Sequence, residues 1–187
     1  MGLSKLKTKI SAEDYLNGEE ISEIKYEFVG GDVYAMAGTS QNHNRIARNI
    51  VNALSNHLQN SSCEPYIENI KVRATEDVFY YPDVLVTCEG EFKNKYFCEE
   101  PILIVEVTSP STEQIDRREK LRAYQQMPSV IEYVIIGQEK ISVEVHRRQP
   151  DGNWITYFYS RTDTELTLES VELTLPLQEI YRRVVFE

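Results

Sequence analysis

The stretch Ile102-Leu103-Ile104-Val105-Glu106-Val107 decides how the chain folds. Five of its six residues are aliphatic, so an extended backbone here is apolar on both faces, the profile of a strand in the middle of a covered sheet. Glu106 is the exception, and a carboxylate in such a run is costly to bury without a protein cation, a metal or a proton as partner. Two readings follow: a structural ion pair, or one of two carboxylates holding Mg²⁺ through hard oxygen ligands, with sites open to water and phosphate. Upstream, Pro82-Asp83 precedes the apolar Val84-Leu85-Val86, and the 23 residues from Asp83 to Glu106 suit two acids meeting across adjacent strands.

Outward from this strand, Ser109-Pro110-Ser111 stops it, and Ser111-Thr-Glu-Gln114 resembles a capping box opening a helix to about Gln126, closed by Pro128. Val130 to Ile136 reads as another buried strand. Ile141 to His146 and Trp154 to Tyr159 read as a hairpin turning at Asp151-Gly152-Asn153, and Leu166, Leu168, Leu173 and Leu175 as short strands before a last helical turn through Ile180 and Tyr181.

On the N-terminal side, Ser11-Ala-Glu-Asp14 caps a short helix stopping near Gly18. Ile24 to Val29 and Val33 to Met36 form a hairpin through Gly30-Gly31. Ile46, Ile50, Val51, Leu54 and Leu58 recur at helical spacing, giving a helix from Asn44 to about Gln59, and Tyr66 to Arg73 alternates as a strand. The middle of the chain therefore reads helix, three strands, helix, strand: an α/β fold around a mixed sheet.

The chain has 187 residues, 41% hydrophobic and 27% charged, enough for one domain with a continuous core and too ordinary for disorder or a collagen-like fold. No apolar run approaches the ~18 residues that span a bilayer, which excludes a membrane helix. No signal with an apolar core follows Lys5, Lys7 and Lys9, so a cytoplasmic location is expected. Cys63, Cys88 and Cys98 form no CxxC and are odd in number, and are read as reduced packing residues. The net charge of −10 opposes bulk attraction to a polyanion. Residues 71–106 hold eight acids against four bases, and 110–148 six against seven, so a nucleic-acid surface lies in the second stretch or needs a metal.

On the helix after Glu106, Asp116 and Lys120 stand four residues apart, the spacing of a surface ion pair worth ~0.3–0.5 kcal/mol. Arg117, Arg118 and Arg122 read equally as a solvated face. Yet Lys120, in the first turns of this helix, can fold back over the strand end and offset charge on a phosphoryl group, and Asp116, one turn earlier, then lines the site and steers the ammonium instead of simply forming a surface pair.

Pro82-Asp83, Ile-Val-Glu106-Val-Thr-Ser-Pro-Ser-Thr, Asp116-Arg-Arg-Glu-Lys120-Leu-Arg-Ala-Tyr124 and Glu132-Tyr133 together resemble the Uma-two-type family of restriction endonucleases, within the PD-(D/E)XK nuclease superfamily. The likeness runs from about Glu27 to the C-terminus and is most specific over 101–133. It implies a restriction-endonuclease-like αβββαβ core over about residues 43–136, carrying an N-terminal hairpin and a C-terminal β extension. It also implies Asp83 and Glu106 as the metal-binding acids. Thr108 stands where the superfamily pattern has the lysine of its ExK motif; the family supplies that lysine from the next helix, where Lys120 is the matching residue. Glu27 resembles an upstream acid that serves related nucleases as a third metal contact, usually from the first helix; here the helix from Asn44 to Gln59 has no acid. His43, just before that helix, occupies a family-typical place and reads either as a helix cap or as a contact to metal-borne water or phosphate.

No GxSxG elbow, P-loop or dinucleotide fingerprint is present. Phe79-Tyr80-Tyr81 and Tyr157-Phe158-Tyr159 read as strand packing before base stacking. The expectation is a Mg²⁺- or Mn²⁺-dependent endonuclease acting on nucleic acid, with DNA the expected form, and a homodimer if both strands are cut. The rival is a non-catalytic module of the same fold that binds or assembles.

Overall fold

The computed structural model of the chain describes residues 9–109 and 112–186. In chain order, α1 (Ala12–Ile21) leads into β1 (Tyr26–Val29) and β2 (Asp32–Ala35), then α2 (Gln41–Leu58), β3 (Glu64–Ile67), β4 (Lys71–Thr75), β5 (Val78–Tyr80), β6 (Val84–Thr87), β7 (Phe97–Cys98) and β8 (Pro101–Thr108). A helical segment follows in three parts, α3 (Glu113–Ile115), a π-helical turn (Asp116–Lys120) and α4 (Leu121–Gln126). The remainder is β9 (Glu132–Gly137), β10 (Ser142–Arg148), β11 (Trp154–Ser160), β12 (Glu165–Leu168), β13 (Leu173–Pro176) and α5 (Leu177–Ile180).

A six-stranded mixed sheet, ordered β11-β10-β9-β8-β6-β3, has β8 near its centre, parallel to β9 and antiparallel to β6. Alternation along β8 sorts its side chains between two cores. Leu103, Val105 and Val107 join the cluster beneath α2, with Ile46, Ile50 and Leu54. Ile104 joins the opposite cluster, with Tyr124, Met127, Val130, Tyr133 and Tyr80. Glu106 shares the parity of Ile104 and so falls on the side covered by the 113–126 helical segment. A second sheet, β2-β1-β5-β4-β7, brings the N-terminal hairpin to that side, with α1 packed on it through Tyr15, Phe28, Phe79 and Phe97. The fold is mixed α/β, with the helix, three strands, helix and strand of the expected core running through α2, β3, β6, β8, α4 and β9.

Several boundaries differ from the sequence reading. The helix placed from Asn44 starts at Gln41, because Ser40 caps it, its Oγ accepting from the His43 N–H at 3.1 Å. His43 therefore sits in the first turn rather than before it. The first helix continues past Gly18 to Ile21. The strand read from Tyr66 to Arg73 is two strands in two sheets, broken where Glu68 takes a left-handed φ of 56°. The capping box on Ser111 and the stop at Pro110 lie outside the described residues.

Cys63 and Cys88, read as reduced, are joined in a disulfide, while Cys98 is free and buried. The antiparallel pair Glu64↔Thr87 explains this: one step beyond it, Cys63 faces Cys88, with Cα atoms 3.9 Å apart. A spacing of 25 residues hides a cross-strand register that only the folded sheet reveals. Among the described residues no helix is long and apolar enough to cross a membrane.

Candidate active site

The register of β6 and β8 builds the centre of the site. Val84 pairs with Val105, so one step further Asp83 stands opposite Glu106 at the end of the ladder. There the Asp83 carboxylate accepts the backbone N–H of Val107 at 2.6 Å, satisfying a donor that the shorter β6 leaves unpaired. Its Oδ2 also lies 3.2 Å from Nε2 of His43, which the first turn of α2 projects from the other side of the sheet end.

Glu106 is 4% exposed. Its Oε1 accepts from Lys120 Nζ at 3.0 Å and from the Tyr124 hydroxyl at 3.3 Å. Lys120 also lies 2.9 Å from Glu27 and 3.7 Å from Asp116, with the Tyr80 ring 5.4 Å away. Glu27 arrives from β1 in the second sheet, and its Oε1 also accepts the N–H of Tyr81 at 3.1 Å. The Asp116–Lys120 pair, spaced like a surface pair, is thus interior: Asp116 is 2% exposed and Lys120 6%. The physical reason is the π-helical turn, in which Leu121 N–H reaches back to the Asp116 carbonyl and the widened backbone turns both residues inward. Tyr133 fixes this turn by donating its hydroxyl to the Asp116 carbonyl at 3.1 Å.

Three carboxylates, Glu27, Glu106 and Asp116, thus surround one ammonium, and a fourth, Asp83, pairs with one imidazole. Burial pushes the Glu106 carboxyl well above its ordinary range against the pull of Lys120, and the other three acids push it further. Burial likewise raises Asp116. Lys120 loses hydration too, yet Glu106, Glu27 and Asp116 outweigh that loss and hold it charged. In His43, burial opposes protonation, but the Asp83 hydrogen bond and charge prevail and raise it. An excess of negative charge that favours every proton favours a cation as well. Hard carboxylate oxygens in excess over cations are the donor set that Mg²⁺ or Mn²⁺ takes. Among the described residues no group of three or more His, Cys, Asp or Glu side chains is already drawn together as a metal cage.

Asp83 lines a pocket of about 370 Å³ with Lys25, Met36, Thr39, Glu68 and Tyr81, which gives the cluster its opening. Of the six residues singled out from the sequence, Glu27, Glu106 and Asp116 meet on Lys120, while His43 and Asp83 form a second pair that reaches the first through the backbone N–H of Val107, next to Glu106. Tyr124 and Tyr133 went unassigned in the sequence although both stand in the quoted motifs; a tyrosine at helical spacing from Lys120 was the available signal. Thr108, in the motif's lysine place, directs its hydroxyl to the Ile136 carbonyl at 3.5 Å. Glu132 is structural: fully buried, it takes Arg147 Nε at 2.7 Å and the Ser170 hydroxyl at 2.6 Å, clamping the C-terminal extension to β9. The packing reading holds for Phe79, Tyr80 and Tyr81, all buried, whereas Phe158 is 71% exposed.

Residues 12–178 match the family Uma2, described as "Putative restriction endonuclease", and the chain belongs to that family. An uncharacterized protein of Synechocystis sp. is 35% identical over 180 residues, covering 95% of this chain and 94% of the relative. A second uncharacterized Synechocystis protein is 31% identical over 178 residues, covering 92% and 97%. The crystal structure of a protein of Anabaena variabilis, titled a "putative nuclease belonging to DUF820", superposes with a TM-score of 0.74 over 94% of this chain and 99% of that one, at 17% identity. That likeness is one of fold.

Proposed function

Starting from membership of a restriction-endonuclease family, we propose that this chain is a one-domain, Mg²⁺-dependent endonuclease that hydrolyses phosphodiester bonds of DNA. The observation that carries the reading is the gathering of Glu27, Glu106 and Asp116 around buried Lys120, with Asp83 opposite Glu106 at the strand end and opening on a pocket. Asp83 and Glu106 would hold the ion, with Glu27 as a third acid. A divalent ion bound there supplies positive charge to the phosphoryl oxygens and acidifies water.

The chain's own residues do the rest. Lys120 keeps its proton and places a fixed positive charge beside Glu106, where it offsets charge developing on the scissile phosphate. His43 Nε2 holds the Asp83 carboxylate in place while its Nδ1 has no hydrogen-bond partner among the described residues. Asp116 and Glu27 orient the Lys120 ammonium from two further sides, and Tyr124 restrains Glu106. A pair of copies would place one site on each strand.

A second reading, a nuclease fold that binds without cutting, is favoured by two observations: Glu106 Oε1 is engaged by Lys120 and Tyr124, and Thr108 stands in the motif's lysine place. End-labelled duplex DNA and RNA of one sequence, incubated with Mg²⁺ or with EDTA, separate the two. DNA cleavage with Mg²⁺ alone is expected; cleavage of the RNA only would refute the DNA assignment, and both left intact under both conditions at high enzyme concentration would refute the endonuclease.

A further inference from the structure

The charge of the chain is spread unevenly around the site, and α2 is the exception to its acidity. The chain has 30 acids against 20 lysines and arginines, yet none of those acids falls within Gln41–Leu58. The inner face of α2 is spent on Ile46, Ala47, Asn49, Ile50, Leu54 and Leu58. Its outer face, near the end that carries His43, presents Gln41, Asn44, Arg45 and Arg48.

These four residues, with Thr39 and Ser40, line a cavity of about 440 Å³ that contains no acidic side chain. Thr39 also lines the pocket that holds Asp83, so the two openings adjoin. Arg73, Arg117, Arg147 and Arg182 each have a carboxylate partner. Among the described residues Arg45 and Arg48 have none, and Arg45 reaches only Asn42 Oδ1, at 3.4 Å. Two guanidinium groups without carboxylate partners, flanked by neutral amides, are complementary to a phosphate chain. In a chain of net charge −10, an acid-free face is where a polyanion can approach with least repulsion. From His43 to Arg48 is five residues, about 7.5 Å along the helix, the axial span of about two nucleotides of one strand.

We infer that the outer face of α2 is the track for the nucleic-acid backbone, with Arg45 and Arg48 each taking a phosphate next to the cleavage site. This rests on the nuclease reading and adds where its substrate lies. Asn44 and Gln41 supply neutral hydrogen bonds between and beside the two guanidinium groups, which suits backbone positioning without base selection.

The test is binding of a fluorescein-labelled 20-base-pair DNA duplex, followed by anisotropy in EDTA across a series of KCl concentrations. The double variant Arg45→Gln, Arg48→Gln is set against a charge-matched control at exposed residues elsewhere, Lys95→Gln with Arg161→Gln. Two lost phosphate contacts lower the slope of log K against log[KCl] by about 1.8, and affinity in low salt falls at least about tenfold, in the α2 variant only. Arg45→Lys with Arg48→Lys keeps the charge and most of the slope. An α2 variant with the slope of the wild type, or a control that loses as much, overturns the inference. If the wild type cuts DNA and the α2 variant cuts it with the same kcat/KM, the track is refuted while the nuclease reading stands. If the wild type neither binds nor cuts nucleic acid, both fall.

Discussion

Replacing Lys120 by Met removes the ammonium while keeping most of the side-chain volume, so its effect measures charge more than cavity. Nζ lies 2.9 Å from Glu27, 3.0 Å from Glu106 and 3.7 Å from Asp116. Without it, three carboxylates face one another where Glu106 and Asp116 are almost fully buried. Removing one member of a buried ion pair costs about 3–5 kcal/mol. Proton uptake recovers part of this, because burial and the neighbouring acids already push Glu106 upward. An acid whose folded pKa lies above its unfolded value binds more protons folded than unfolded, so its stabilising contribution fades as pH rises through the folded pKa. The expected loss is therefore about 2–4 kcal/mol at pH 8 and clearly smaller at pH 5. Urea unfolding followed by circular dichroism at the two pH values measures it. A loss below about 1 kcal/mol, equal at both, is the signature of an exposed pair and would refute the buried cluster.

Glu106→Gln removes the carboxylate charge and one of its two oxygens with little change of shape, and calorimetry is expected to show Mn²⁺ affinity falling more than about tenfold while the fold is retained; equal affinities would contradict the site. His146 is buried against Tyr133 at 6.0 Å, bonded to Thr156 and close to Glu144 and Arg117; burial first, and then Arg117, push its imidazole down to about 4. The unfolded chain then binds the extra proton between about pH 6.5 and 4, so stability falls across that window by about 1–2 kcal/mol, less than full linkage because the surroundings are partly hydrated, and His146→Gln flattens the dependence in urea titrations. Reducing the Cys63–Cys88 bridge, or Cys63→Ser with Cys88→Ser, reopens a 25-residue loop. A loss of about 2–4 kcal/mol in unfolding free energy is expected, with the secondary structure unchanged.

Where sequence and structure agree, the signal was local. The aliphatic run of β8, interrupted only by Glu106, marks it as a central strand, and the glycines at 30 and 31, with φ of 55° and 92°, turn the first hairpin as their dipeptide foretold. Two acids at strand ends and a lysine on the next helix were readable because each stands in an ordinary local pattern. What escaped depends on pairings between distant segments. The break at Glu68 sends Lys71–Thr75 into another sheet, because a non-glycine residue adopts a left-handed backbone with no local warning. The disulfide needed the register of β3 on β6. The burial of Asp116 with Lys120 needed a π-helical turn, which an i, i+4 spacing does not distinguish from a solvated α-helical face. Glu27 could be tied to the site from its sequence position only through resemblance, since its contact with Lys120 crosses from one sheet to the other.

The most direct test of the account is nicking of supercoiled plasmid DNA by wild type and by Asp83→Asn, each with Mg²⁺. Asparagine can still accept the Val107 N–H, so the β6–β8 end keeps its ladder while the carboxylate charge is lost. The account predicts relaxed and linear plasmid with the wild type, none with EDTA, and a rate at least about a hundredfold lower in the folded variant. Equal nicking by both proteins, or nicking that persists in EDTA, would contradict it.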